Sequence, residues 1–310
     1  MYRDLRVAIV VPAHNEERLV GRVVTTAPDL VDLVVVVDDA STDGTSQAAA
    51  DTRDPRLQLI TLTENQGVGG AILAGHRRAL DLGADVCVVM AGDAQMDPSF
   101  LPALLDPIAD GDADFTKANR FFGPGSFRGM PRHRILGNVV LSFLTKAASG
   151  YWNLFDPQNG YTAIRSTALE RLEFDRIAHR YEFENDLLIQ LNVLRVPAKD
   201  VPVPASYGDE VSGIRLTSVA PRILRQLWRG FWYRMWWKYV VQSFSPVALM
   251  FFSGLAFVLF GVAVGVFVVV NTLGPPVASP GTIILSFGPL LTGFHLLITA
   301  LYLDIQENSP

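Results

Sequence analysis

Four polar clusters follow four apolar runs in the first third of the chain: HNEE at 14–17, DDASTDG at 38–44, ENQGVGG at 64–70 and GDAQMD at 92–97. Their residue types suit a shared nucleotide site. Carboxylates at Glu16, Asp39 and Asp93, and amides at Asn15, Asn65 and Gln95, can face a base, a ribose or a hard cation that takes oxygen ligands. Gly67 and Gly69 leave room for close approach of the backbone to a ligand, where exposed N–H groups suit anions.

The elements that must hold these residues are legible in the hydrophobic pattern. Apolar, β-branched runs at 7–11, 33–37, 57–62 and 86–90 read as strands covered on both faces. Helical spacing fills 15–26, 42–50, 69–82 and 98–108, and a short strand is expected at 115–117. This alternation predicts an α/β domain with an open, mostly parallel sheet. Ligands on such sheets bind beyond the carboxyl ends of the strands, which is where all four polar clusters fall. Pro12 and Ala13 are expected to form the bend after strand one and so bring Glu16 to the pocket. Asp38 reads as a structural carboxylate, Asp43 and Gly44 as turn and cap, and Asp97 as the start of the Pro98 helix.

Bulk properties narrow the class. A net charge of −5 argues against a nucleic-acid partner. The single Cys87 excludes an internal disulfide framework and a cysteine-based zinc site, and its VCVVM context reads as buried strand. The histidines are scattered without metal spacing. The first apolar run is short and runs at once into HNEER, unlike a signal peptide.

Composition breaks after Lys238: residues 239–303 contain no Asp, Glu, Lys or Arg. Two apolar runs, 246–271 and 282–303, each exceed the roughly 20 residues needed to cross a hydrocarbon core of about 30 Å. A Pro- and Gly-rich turn separates them. Before them, 218–242 is basic and aromatic and holds Trp228, Trp232, Trp236 and Trp237, as an interfacial helix would. The expected organisation is a globular domain at 1–215, amphipathic interfacial helices at 216–245, a two-helix transmembrane hairpin at 246–303 and a cytoplasmic tail at 304–310. Arg222, Arg225, Arg229, Arg234 and Lys238 precede the first span and the turn has no charge. The positive-inside rule then puts the domain and the C-terminus on the cytoplasmic side of a multi-pass cell-membrane protein.

The segments VVPAHNEE, VVVVDDASTDGT and ENQGVGGAILAG, followed by KANRF, MPRHRILGN, DPQNGYTAI, YEFENDLLIQL and DVPVPASYG, resemble glycosyltransferase family 2 in their order and spacing. Within it they resemble the polyprenyl-phosphate branch, typified by dolichol-phosphate mannose synthases and undecaprenyl-phosphate sugar transferases. The likeness covers roughly residues 5–215, and a terminal two-span hairpin occurs in many members of that branch. It implies a GT-A nucleotide-sugar-binding fold and transfer of a sugar, with inversion, from UDP- or GDP-sugar to a polyprenyl phosphate at the cytoplasmic leaflet. A divalent cation, Mg or Mn, would assist.

The resemblance also distributes roles. Pro12, Ala13, Asn15, Glu16, Asp39, Asn65, Gly67, Gly69, Asp93 and Ala94 would bind the nucleotide. Asp93 matches the second Asp of an Asp-x-Asp metal motif and Gln95 a Gln that follows it. The first Asp position is Ala91, so a complete carboxylate cage is not expected. Arg120 and Arg134 match arginines near phosphate, with Arg132 and His133 as weaker neighbours. Asp156 and Gln158 match the place of an Asp facing the sugar or the loop above it. Of Glu184 and Asp186, two apart on a helix, Glu184 is the expected pocket residue; Asp93, Asp156 and Glu184 form the catalytic set. Tyr207 and Gly213 depart from the family's Arg and Lys, and Arg215 is the residue that would compensate at the acceptor phosphate.

Two other readings come from the same residues. Transfer to a saccharide or glycolipid acceptor, as in processive synthases, would need a Gln-x-x-Arg-Trp motif. Here Gln226 and Arg229 are followed by Gly230. A catalytically impaired nucleotide-binding membrane scaffold is suggested by Ala91. The sequence leaves the oligomeric state open and is compatible with a homo-oligomer. The charge analysis makes a topological prediction: a Cys placed at Ser279 is labelled by an impermeant thiol reagent from outside the cell, and one at Ser309 is not. The reverse pattern would invert the orientation.

Overall fold

A computed structural model describes residues 1–122, 132–157, 159–204, 216–272 and 279–307. The chain forms two compact units, Met1–Phe231 and Trp232–Pro310. In the first, strands and helices alternate in the order β1 (Val7–Ala13), α1 (Val20–Thr25), β2 (Leu33–Asp38), α2 (Thr45–Ala50), β3 (Leu57–Thr61), α3 (Val68–Asp81), β4 (Val86–Val89), α4 (Leu101–Ala109) and β5 (Phe115–Asn119). Then follow α5 (Arg132–Ser149), β6 (Thr162–Arg165), α6 (Ser166–Leu169), α7 (Phe183–Val193), β7 (Ala198–Pro202) and α8 (Leu216–Trp236).

The strands make one seven-stranded sheet in the order β3-β2-β1-β4-β6-β5-β7. Only β6 runs antiparallel to its neighbours, so the carboxyl ends of the other six strands share one edge. Every side chain of β1, β2 and β4 is buried. Alternate residues serve opposite faces, as the pleat requires: Ala8, Val10, Val35 and Val37 join one apolar core, and Ile9, Val11, Val34 and Val36 the other.

The sequence reading ends β1 too early. Pro12 and Ala13 are its last two residues, in register with Val37 and Asp38, and the bend comes at Asn15, whose φ is +59°. The register with β4 ends at Val10–Val89, and beyond it the Pro12 carbonyl accepts the Gly92 N–H at 3.1 Å. The helix expected from residue 15 begins only at Val20, since the intervening residues are bonded to the loop after β2. The described first unit also extends beyond residue 215. Gln226 Nε2 on α8 donates to Asp186 at 2.7 Å, and Gly230 lies so close to Ile189 that a Cβ would sit 2.2 Å from its Cδ1.

The second unit holds a π-helical turn at Trp237–Val241, then α9 (Pro246–Thr272) and α10 (Pro280–Glu307). Both long helices are long and apolar enough to cross a membrane, and only 11% of each apolar window is buried. Leu259, Phe260, Val266 and Val269 on α9, and Ile284, Phe287, Leu291 and Phe294 on α10, point outward. Small residues bring the two helices together: a Cβ on Gly293 would meet the Gly254 carbonyl at 2.7 Å. The segment read as a tail from residue 304 continues α10 to Glu307.

A buried charge pair lies at this end of α10. Arg234 places both terminal nitrogens on Asp304, at 2.6 and 3.2 Å, and Tyr239 donates its hydroxyl to the same carboxylate. Arg234 and Asp304 are both buried. Removing one partner of a buried pair strands the other charge, at a cost of about 3–5 kcal/mol, whereas apolar replacement of both is tolerated. Arg234→Met is therefore expected to lower the thermal stability of the detergent-purified protein sharply. Arg234→Met/Asp304→Leu should recover most of the loss. A single variant as stable as the double one would show that this pair imposes no such constraint.

Candidate active site

The loops after β1, β2 and β3 are stitched together by side chains of the polar clusters. Asn15 accepts the Thr42 N–H at 2.9 Å and donates its own N–H to Ser41 at 3.0 Å. The Glu16 N–H donates to Thr45 Oγ1 at 2.8 Å. His14 Nδ1 lies 2.8 Å from the Asp39 carbonyl, within 3.3 Å of the Asn65 amide. Asp38 accepts from the Ser41 N–H and the Ser46 hydroxyl, a structural carboxylate as read from sequence. Asp43 accepts the Thr45 N–H at 3.0 Å, and its hydrogen bond to the Thr45 hydroxyl lowers its pKa.

Asp39 is buried and accepts the Gln66 and Gly67 N–H groups at 2.7 and 2.8 Å, one on each oxygen. Its carboxylate thus fixes the third loop and forms the floor of the site. The two glycines expected to admit a ligand instead admit protein. A Cβ on Gly67, whose φ is +86°, would meet the His179 carbonyl at 2.8 Å, and one on Gly69 would meet Phe183 at 2.6 Å. Glycine is needed there so that the segment leading into α7 can pack on the start of α3.

The loop after β4 closes against β1. Gly92 donates to the Pro12 carbonyl at 3.1 Å and has room for no side chain beside Ala13. Asp93 accepts the Gln95 N–H at 3.0 Å in a tight turn that puts Ala94 at φ +54°. Asp93, Ala94 and Gln95 are all half-exposed at this edge. Asp97 caps the next turn by accepting the Ser99 N–H at 2.8 Å. Ala91 offers only its N–H, which points to Met96 Sδ. Among the described residues no three His, Cys, Asp or Glu side chains gather as a metal cage.

The loop then touches the segment that carries Asp156. Tyr161 donates its hydroxyl to the Asp97 carbonyl at 3.1 Å. Asp156 is buried and holds Arg120 in a fork, Nε to Oδ2 at 2.7 Å and Nη2 to Oδ1 at 3.0 Å, while the Arg120 N–H adds a third bond at 3.2 Å. Two residues given separate roles from the sequence are thus each other's partners. Arg134 lies on α5, but its side chain is outside the described residues, as are Gln158, Tyr207, Gly213 and Arg215 in full.

Lys117 is the residue that sequence reading missed. It lies at the centre of β5, 1% exposed, and donates to the Asn159 carbonyl. Burial lowers its pKa, and the charges of Glu184, Asp156 and Asp200 oppose that shift. Glu184 lines the same small cavity of about 10 Å³, together with His76. Burial raises the Glu184 pKa, and Lys117 pulls it back. Burial drives His76 down to about 4, so it is neutral near pH 7. Asp186 points elsewhere, accepting the Ala178 N–H at 2.8 Å and the Gln226 amide. A lysine inside the strand-like run FTKAN was the available signal: an ammonium among core residues must have partners.

Asp200 on β7 completes the cluster. One oxygen accepts from Asn119 Nδ2 at 2.9 Å and the Phe155 N–H at 2.7 Å. Its pKa is lifted from 3.8 to about 6, chiefly by burial. The folded chain therefore holds this proton more tightly than the unfolded chain. That contribution to stability is complete below about 3.8 and is lost as pH rises through about 6.

Comparison with known proteins matches this geometry. Residues 8–173 match the sequence profile of Glycosyl transferase family 2. A UDP-N-acetylglucosamine–dolichyl-phosphate N-acetylglucosaminyltransferase of Methanococcus voltae is 30% identical over 231 residues, covering 70% of this chain and 91% of the relative. An undecaprenyl-phosphate mannosyltransferase of Micrococcus luteus is 33% identical over 217 residues, covering 67% of this chain and 86% of the relative. Among solved structures, glucosyl-3-phosphoglycerate synthase from Mycobacterium tuberculosis, determined with Mn2+, UDP-glucose and glycerol 3-phosphate, superposes with a TM-score of 0.56 at 22% identity. It covers 74% of this chain and 80% of that one. The fold is thus of the GT-A kind.

The Asp200 proton supplies a test of the cluster. Between pH 4 and pH 6.5 the melting temperature of Asp200→Asn should move upward relative to that of the parent, because the neutral amide has no proton to release. Equal pH dependence in the two proteins would mean that this carboxyl does not titrate in the folded state over that interval.

Proposed function

This chain belongs to glycosyl transferase family 2 and is a glycosyltransferase, and from that premise we propose that it moves a sugar from a nucleotide-sugar donor to a polyprenyl phosphate at the cytoplasmic surface of a membrane. The observation that carries the reading is an unbroken run of contacts along one sheet edge. It leads from the loops after β1 to β3, through Gly92 and Asp93, to the Arg120–Asp156 fork. A donor site and an anion site on one edge are what transfer to a phosphate requires. The dolichyl-phosphate and undecaprenyl-phosphate enzymes among the relatives support that acceptor class. The two apolar helices support a membrane location. The basic residues before α9 support placing both hairpin ends in the cytoplasm.

The donor's nucleoside end belongs at the rim formed by residues 12–16, 39 and 65–67. Asp93, with the Gln95 side chain, would hold a divalent cation. One carboxylate fits an ion of this kind, which fills its remaining positions with water and phosphate oxygens. When bound, it would neutralise charge on the diphosphate. An acceptor phosphate oxygen attacks the anomeric carbon, the bond to the diphosphate breaks on the opposite side, and configuration inverts. A phosphate monoester is already ionised near neutral pH, so positioning and charge carry the rate and no strong base is needed. Arg120, oriented by Asp156, presents its guanidinium to the acceptor phosphate, and Arg134 and Arg215 are assigned to the same anion. Glu184, which lines the same small cavity as Lys117, is assigned to the sugar side. The scaffold alternative rests on Ala91, and a direct assay decides it.

Incubating the protein with a panel of nucleotide sugars, polyprenyl phosphate and Mg2+ or Mn2+ should give a glycosylated lipid by mass spectrometry. Absence of any product from a folded protein would favour the scaffold. Asp93→Asn should abolish the product without unfolding the domain. Arg120→Lys keeps a cation for Asp156 but loses the fork. The lost charge-assisted contact, about 1.5–3 kcal/mol, should lower lipid kcat/KM roughly ten- to a hundredfold. Nucleotide affinity should stay constant. A collapse of nucleotide affinity instead would move Arg120 to the donor site.

A further inference from the structure

Lys117 stands where an apolar residue would suffice. Val89, Phe115 and Ile164, which line the same small cavity, are buried hydrophobics. A methionine in place of the lysine would bury no charge, and replacing a buried ionic group by apolar side chains of like volume is often neutral or stabilising. The fold alone does not ask for an ammonium. At 1% exposure, Lys117 acts on a ligand only through other residues.

The groups it serves belong to segments that carry assigned residues. One N–H goes to the Asn159 carbonyl. Asn159 is itself buried; its own N–H donates to the Asp156 carbonyl at 3.2 Å, and its side-chain oxygen accepts the Tyr161 N–H at 3.1 Å. The Asp156 carboxylate in turn takes the Arg120 fork. Asp156 and Asn159 are thus pinned from one strand and its exit, the first by Arg120 and the second by Lys117. An ammonium has three N–H donors, and the carboxylate that shares its cavity is Glu184, in the first turn of α7. Burial opposes the charge on both, and each charge favours the other. The other charged groups acting on Lys117 are Asp156, Asp200 on β7 and Arg120. His76 on α3 is the further titratable group that lines the cavity.

We infer that Lys117 is a positioning residue for the sugar transfer: its N–H bond fixes Asn159, and with it the Asp156 carboxylate that orients Arg120, while its charge balances the Glu184 carboxylate across their shared cavity. This inference rests on the proposed transfer to a lipid phosphate. It gives the acceptor side and the sugar side one internal support. A guanidinium is aligned only as well as the carboxylate behind it, and a displacement of about 1 Å at such a group costs on the order of a hundredfold in rate. A neutral side chain at 117 releases the Asn159 carbonyl and leaves the three carboxylates without the ammonium. Glu184 then takes up a proton at higher pH than it does beside that charge.

The test is Lys117→Met in the full chain, assayed in liposomes that contain polyprenyl phosphate with the nucleotide sugar that the parent uses. Circular dichroism should show a folded protein, and nucleotide affinity should match the parent's. Lipid kcat/KM should fall roughly ten- to a hundredfold, as for loss of one charge-assisted contact. The acidic limb of its pH profile should move to higher pH, because Glu184 without the ammonium is protonated sooner as pH falls. The comparison is repeated in an Asp200→Asn background, which removes the other carboxyl that titrates near 6. A lysine that only fills space would change the melting temperature and leave both kcat/KM per folded molecule and the limb in place; that result overturns the inference. If Lys117→Met is too unstable to assay, Lys117→Met/Glu184→Gln should melt at a higher temperature than the single variant, since it strands no carboxylate. No recovery in the double variant also overturns the inference. Absence of glycosylated lipid from the parent defeats the functional reading and this inference with it. An active parent beside an equally active Lys117→Met defeats the inference alone.

Discussion

An ammonium in the middle of a β-sheet is the constraint on which the site depends. Lys117 has no access to water, and a buried charge is tolerated only when it is paired and hydrogen-bonded. Its surroundings come from three separate parts of the chain: the Asn159 carbonyl and Asp156 from the segment before β6, Glu184 from α7 and Asp200 from β7. The bond to the Asn159 carbonyl ties the segment before β6 to β5, and the three carboxylates favour the charged lysine. Asp200 then ties Asn119 and the Phe155 backbone into the same region, and Asp156 receives Arg120 three residues beyond the strand's centre. The Lys117 ammonium therefore sits in the field of three carboxylates drawn from distant parts of the chain.

The donor side is organised by a different chemistry. Buried parallel strands can place polar groups only beyond their ends, and here carboxylates and amides bond the emerging loops to one another. Asp38, Asp39 and Asp43 all accept backbone N–H groups. Fixing loop backbones in advance reduces the ordering that ligand binding would otherwise require, which is the physical value of preorganisation. The tight glycines at 67 and 69 belong to the same economy of space. They let the start of α7 reach the third loop, which sets Glu184, one residue beyond Phe183, in the cavity it shares with Lys117.

The second unit resolves an opposing demand. Its helices turn large apolar side chains outward and keep their few charges together. The Arg234–Asp304 pair with Tyr239 joins the residues just before α9 to the last turns of α10. The polar groups are inside and the apolar ones outside, which is stable only where the surrounding medium is itself apolar.

Much of this was readable from the sequence because it is periodic or compositional. Uninterrupted Val and Ile runs announce strands covered on both faces, and the polar segments that follow must then lie at one edge. The charge-free stretch after Lys238 announces two long apolar helices. Asp97 as a cap and Asp38 as a structural carboxylate follow from local turn chemistry. What the sequence could not show depends on contacts between distant residues. The partnership of Arg120 with Asp156, the use of both Asp39 oxygens by Gln66 and Gly67, and the filling of the glycine space by residues 179–183 arise only when the chain closes on itself. The antiparallel insertion of β6, the extension of β1 through Pro12 and the burial of Lys117 among three carboxylates are of the same kind. Local pattern determines which face of an element is apolar; which side chains meet across 30 to 100 residues is decided by packing and by the need to pair every buried charge.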